Sequence, residues 1–160
     1  RVMSSALITT SLLSVVGLVV SFALGYLAGA PGEVLYHATL AIFVTLITVL
    51  SHSMTMVYLI GKTRAIRDAV TEAGLSTDAV TRVSALRGPV FKLAALAMAL
   101  TMVTAIFGGG VDTEVIPAGF HSMLAVLAIV ANVMALRTIV QALQESTRIV
   151  DEVNRDLDVA

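Results

Sequence analysis

All three histidines of this 160-residue chain, His37, His52 and His121, stand inside long apolar stretches. His37 and His52 share the charge-free run from Val34 to Gly61, and His121 opens another that continues to Leu136. An imidazole among hydrocarbon side chains is costly unless it is hydrogen-bonded, hydrated or bound to a metal, so a histidine within a membrane segment is a candidate functional group. Its chemistry is ligation through a neutral ring nitrogen, or transfer of a proton. The chain has no cysteine, which excludes thiolate ligands, iron–sulfur clusters and disulfides. It also lacks an acidic residue between Val34 and Gly61, a phosphate-binding glycine loop and a nucleic-acid patch. A hydrolase, a proton-coupled transporter of the usual kind and a nucleic-acid binder are therefore not expected.

The elements that must position these histidines are transmembrane helices. Hydrophobic residues make up 58% of the chain and charged residues 13%, with a mean hydropathy of +0.95. Soluble domains carry about 25% charged residues. Four apolar stretches reach the roughly 20 residues that an α-helix needs to cross a bilayer. The first runs from about Met3 to Leu27, and Gly29-Ala30-Pro31-Gly32 turns the chain. The second starts near Glu33, leaves the apolar region at Gly61-Lys62 and continues as a polar helix to Gly74. Ser76 or Thr77 then caps a short amphipathic helix. The third crosses from Val90 to Phe107 and is expected to end at Gly108-Gly109-Gly110. The fourth starts near Pro117, crosses to Leu136 and continues to the C-terminus. The expected fold is an all-α integral membrane protein, a four-helix up-down bundle with helices 2 and 4 extended beyond the membrane.

Lys62, Arg64, Arg67, Arg82, Arg87 and Lys92 surround the central connection, and Arg1, Arg137, Arg148 and Arg155 lie towards the termini; these are all the cations of the chain. The other two connections carry only Glu33, Asp112 and Glu114. By the positive-inside rule both termini face the cytoplasm, as in a bacterial-type inner membrane. Displacing the chain by 84 residues (121 − 37) lays its halves on one another. Tyr36-His37 falls on Phe120-His121, Thr63-Arg64 on Thr147-Arg148, and the small-residue stripe Gly17, Ser21, Gly25 on Thr101, Ala105, Gly109. This reads as one membrane domain made of two hairpins, about 3–73 and 89–158, joined by the amphipathic segment 75–88.

If the hairpins are repeats, His37 and His121 face each other at one depth, with Gly25 and Gly109 leaving room beside them. Two imidazoles across an axis suit a flat macrocycle whose metal takes one ligand from each side. The arrangement resembles bis-histidine b-type cytochromes, in architecture only. That resemblance implies haem b held by His37 and His121, and an electron-transfer subunit reacting with quinone rather than a stand-alone enzyme. A non-redox scaffold or accessory subunit, and a chlorophyll-type pigment or copper protein, are the alternatives. His52 follows His37 by 15 residues, about 22 Å along a helix. With Met98, Met102 or Met134 it forms a weaker candidate for a second metal site. Ser and Thr hydroxyls are expected to bond their own helix backbone. Leu143, Val150 and Leu157, with Ile139 and Val153, form an apolar seam beyond the membrane that could pair the helix extensions or dock a protein partner or second copy.

Overall fold

A computed structural model describes residues 2–159, in five helices: α1 (Val2–Leu27), α2 (Pro31–Glu72), α3 (Asp78–Ala85), α4 (Arg87–Asp112) and α5 (Ala118–Val159). Arg1, one of the cations used above, lies outside the described residues. All described secondary structure is helical, and α1, α2, α5 and the α3–α4 segment are each long and apolar enough to cross a membrane. Their outward faces are apolar: Leu46 and Ile106 are 64% and 71% exposed, as expected of surfaces that meet lipid.

Helix α1 packs on α2 and α5, and α4 packs on the same two helices. Across the centre α2 meets α5, whereas no described Cα of α1 comes within 8 Å of one in α4. The α1–α2 contact is a small-residue seam. Ser4, Leu7, Ser11, Ser14 and Ser21 are the buried face of α1, and a Cβ at Gly17 would lie 2.8 Å from Val44. Small residues let membrane helices approach closely. Some hydroxyls there do more than cap their own backbone. Ser51 Oγ lies 2.9 Å from Ser11 Oγ and 3.1 Å from Thr10 Oγ1, and Ser4 Oγ lies 3.2 Å from Tyr58 Oη. Thr45 and Thr48 follow the local expectation, donating to the carbonyls four residues back.

The large buried side chains gather at the end that carries the cations. Leu7, Leu59, Val90, Ile139 and Leu143 form one cluster. Beyond it Ile66, Val70, Val83, Ile149 and Val153 form another, which docks α3 between the extensions of α2 and α5. The buried seam of α5 therefore reads Ile139, Ala142 with Leu143, Ser146, Ile149, Val153, a three-four spacing that includes the expected Ile139, Leu143 and Val153. Val150 and Leu157, expected on that seam, pack only at its edge. Ala142 and Ser146 hid the true register, because neither looks like a core residue in the sequence. Ser146 is buried and accepts from Lys62 Nζ at 3.0 Å. Around this core Arg82 contacts Glu152 at 2.8 Å, and Arg148 bridges Glu145 at 2.6 Å and Glu152 at 3.0 Å. Exposed pairs of this kind contribute about 0–1 kcal/mol each, so the apolar cluster holds α3 and the ion pairs fix its register. Ile149→Ala should lower stability by about 2–5 kcal/mol, seen as an earlier thermal unfolding transition in circular dichroism.

Helix ends follow ordinary chemistry. Gly74 takes φ +65°, and Leu75 N–H donates to the Val70 carbonyl at 3.0 Å while Gly74 N–H donates to Thr71 at 3.2 Å. This pattern closes a helix with a left-handed glycine. Gly108-Gly109-Gly110 does not end α4, which continues to Asp112. A glycine in a helix costs about 1 kcal/mol relative to alanine, but a broken helix in an apolar setting strands backbone N–H and C=O groups at several kcal/mol each. The helix wins.

Candidate cofactor site between two histidines

Where the cationic end is filled by Leu, Ile and Val, the opposite end of the bundle holds a cavity of about 540 Å³. All four long helices line it, largely with Gly25, Ala38, Ala41, Ala105, Gly109 and Ala125. Thr45 and Thr101 lie at its inner end, and Tyr26 and Asp112 at its rim. Such a volume is typical of small-molecule and cofactor sites, about 300–1,000 Å³.

His37 enters this cavity from the second turn of α2. Pro31 starts that helix, and the Glu33 carboxylate accepts from Gly29 N–H at 2.8 Å and Ala30 N–H at 3.0 Å. The turn feeding the helix is thereby fixed. His37 Nδ1 lies 2.9 Å from the Ser21 carbonyl oxygen of α1. A carbonyl can only accept, so Nδ1 carries the proton and Nε2 keeps its lone pair. This is how metal-ligating histidines are usually oriented. One turn along α1 from Ser21, a Cβ at Gly25 would fall 2.6 Å from His37 Cε1. Only glycine admits the ring at that point.

His121 enters from the first turn of α5. Its ring lies against Gly108, where a Cβ would stand 3.2 Å from Cε1. Displacement by 84 residues pairs Gly25 with Gly109, yet a Cβ at Gly109 meets nothing within 4 Å. Gly109 faces open cavity, and its neighbour Gly108 takes the close contact. The Thr104 carbonyl approaches the His121 ring, but Nδ1 is buried without a hydrogen bond that meets ordinary geometry. The two imidazoles lie side by side in an edge arrangement, with ring centres 6.5 Å apart and planes at 77°. The structure thus brings together His37, His121 and Gly25, with Gly109 lining the same space.

His52 lies elsewhere and is fully buried. Its Nε2 is 2.9 Å from Asn132 Oδ1 of α5. Asn132 Nδ2 donates to the Ala128 carbonyl at 2.8 Å and to Thr101 Oγ1 at 3.0 Å, and Thr101 donates to the Ala97 carbonyl. Those acceptors fix the amide orientation, so His52 Nε2 is the donor. Its Nδ1 has no partner among the described residues. The methionines do not converge on it. Met102 and Met134 are 43% and 50% exposed on the outer faces, and Met98 Sδ accepts from Ser53 Oγ at 3.7 Å. The partner the sequence reading missed is Asn132. Its signal was available, since it is the one amide side chain between Pro117 and Leu136.

The chain matches no family model, no curated protein and no solved structure. What the site can do must come from its own geometry. Among the described residues, no group of three or more His, Cys, Asp or Glu side chains could hold a metal ion. The paired imidazoles therefore offer two ligands and no more.

Proposed function

We propose that the chain is a small b-type cytochrome-like membrane subunit, in which His37 and His121 hold a haem b between α2 and α5 and single electrons pass between quinone and a partner. The separation of the two rings carries this reading. Imidazoles sharing one metal at nitrogen–metal distances of about 2 Å have ring centres roughly 6 Å apart, close to the 6.5 Å found here. A quinone held between the same rings through its two carbonyls would need about twice that span, because each hydrogen bond alone adds about 2.9 Å. Quinone belongs at another surface of the protein on this reading. A bare copper ion would have two protein ligands and nothing else, whereas a porphyrin brings its own four equatorial nitrogens. A pigment with one axial ligand would leave the second histidine idle.

Haem supplies reversible one-electron chemistry, and the chain's residues set the conditions for it. Ser21 holds the His37 tautomer that can ligate, Gly25 and Gly108 let the rings stand between the helices, and the alanine-lined walls exclude water. The acidic edge of the ring would turn to the open rim, where Tyr26 is the available side-chain donor; Asp112 there repels it, and no Lys or Arg lies at that end. The cations at the opposite end support a cytoplasmic location for both termini by the positive-inside rule. The histidine pair brought together from α2 and α5, and Lys62 meeting Ser146 at the same displacement of 84 residues, support an up-down bundle of two duplicated hairpins. The extensions and α3 are the surface for a protein partner.

A visible spectrum of the purified protein tests the reading. The expected result is one haem per chain and, on dithionite reduction, the sharp bands of low-spin six-coordinate iron. A colourless protein that takes up no added haem would overturn it in favour of a non-redox accessory subunit.

A further inference from the structure

We propose that Lys92 of α4 and Arg137 of α5 together bind the phosphate of an anionic phospholipid, on the outer face of the α4–α5 pair at the cation-bearing end of the bundle.

The packing of the two helices sets the register. Val90 shares a core cluster with Ile139, Ala97 packs with Ala131 and Ala135, and the Phe107 ring meets that of Phe120. Moving up α4 is therefore moving down α5. Lys92 stands two residues beyond Val90, and Arg137 two residues before Ile139. Each cation is thus about 3 Å along its helix from that shared level, and on the same side of it. The two are neighbours at one depth.

They also point the same way. Lys92 lies midway between the buried Val90 and Ala94, and Arg137 midway between the buried Ala135 and Ile139. A helix turns about 100° per residue, so both side chains leave their helices opposite the core, and both are exposed.

Nothing in the protein neutralises them. Neither has an ion-pair or hydrogen-bond partner among the described residues, whereas Arg82 and Arg148 share Glu145 and Glu152. The sequence holds no acidic residue between Glu33 and Asp68, between Asp78 and Asp112, or between Glu114 and Glu145. No carboxylate of the long helices reaches this depth. Unpaired cations at the margin of apolar helices are costly and take a partner, and their flexible stems carry the charge to the headgroup level.

The apolar tracks beside them make that partner a lipid rather than free phosphate. Leu96 and Val103 continue the stripe of Lys92, and Met134 and Val130 that of Arg137, all 38% to 51% exposed. Acyl chains lie along these side chains while the phosphate meets the cations. Arginine offers a planar fork to two phosphate oxygens, and lysine a compact charge beside it. Basic groups between membrane helices hold anionic headgroups in this way.

The test uses the full chain in neutral detergent with phosphatidylglycerol or phosphatidylcholine of the same acyl chains, and counts bound lipid by native mass spectrometry. Phosphatidylglycerol should bind in preference. Each cation beside an anionic lipid is worth about fivefold in affinity, so Lys92→Gln with Arg137→Gln should weaken phosphatidylglycerol binding about 30-fold. The exchange Lys92→Arg with Arg137→Lys keeps both charges, guards against a folding failure in the glutamine variant, and should keep the preference. Arg64→Gln with Arg67→Gln removes the same net charge further along α2 and should change little. Equal binding of the two lipids to the unmodified protein would overturn the site. So would an equal loss in the Arg64 and Arg67 variant, which would mean diffuse attraction. Displacement of the lipid by inorganic phosphate at the lipid's own concentration would overturn the lipid as occupant.

Discussion

If the paired histidines hold a haem as proposed, Gly25→Ala should cut its occupancy at least tenfold, and by more than Gly109→Ala does. The two glycines hold equivalent positions when the chain is displaced by 84 residues, so nothing in their spacing separates them. Their surroundings do. A methyl group at Gly25 would stand 2.6 Å from His37 Cε1 and 2.9 Å from both ring nitrogens, whereas one at Gly109 touches nothing within 4 Å. The His37 ring can yield only by rotating, and rotation breaks its hydrogen bond to Ser21 and turns Nε2 away from the cavity. Loss of such a supporting bond costs about 10- to 100-fold in metal affinity. Helix propensity works the other way, since alanine is better than glycine by about 1 kcal/mol, so a loss at Gly25 cannot be blamed on a weakened α1. Haem-to-protein ratios of the two variants after reconstitution decide the matter. Equal occupancy would show that the ring packs elsewhere.

The second large effect is expected at His52, and it is a loss of stability that leaves the separate His37–His121 site intact. His52→Ala leaves Asn132 Oδ1 buried with no donor, in a network that also holds Ala128 and Thr101. An orphaned buried acceptor costs about 1–3 kcal/mol. Interhelical hydrogen bonds in membranes are worth somewhat less, about 0.6 kcal/mol on average, so the cavity left by the ring supplies part of the loss. Removing both partners, His52→Leu with Asn132→Leu, should recover stability relative to either single change, because no polar group is then stranded. Thermal unfolding followed by circular dichroism measures this. A double variant no more stable than the singles would mean the pair is not the joint described here.

Much of the architecture was legible in the sequence because hydrocarbon runs of this length leave the backbone few alternatives to a helix. The four apolar helices, the stop at Gly74 and the meeting of His37 and His121 all followed from apolar length, turn chemistry and one internal displacement. The misses came from residues whose identity says little about environment. Gly108 to Gly110 looked like a break, but backbone hydrogen bonding in an apolar setting outweighs glycine's flexibility. Ala142 and Ser146 looked like surface and are core, because small side chains are what close helix packing needs. Ser51 looked self-satisfied and instead joins two helices. That Gly108, not Gly109, abuts His121 could not be read from spacing at all; a shift of one residue in a helix turns the side chain by about 100°.

The two helices that carry the histidines are also the longest, 42 residues each, and so rods of about 63 Å. They are gripped where Leu59 and Ile139 pack, about 30 Å from the histidines and about 20 Å from the Gly74 end of α2. Between that grip and the histidines the same two rods are tied a second time, by the His52–Asn132 hydrogen bond. The pair is thus clamped twice along its length, and any displacement at α3 must pass both clamps before it reaches the two imidazoles.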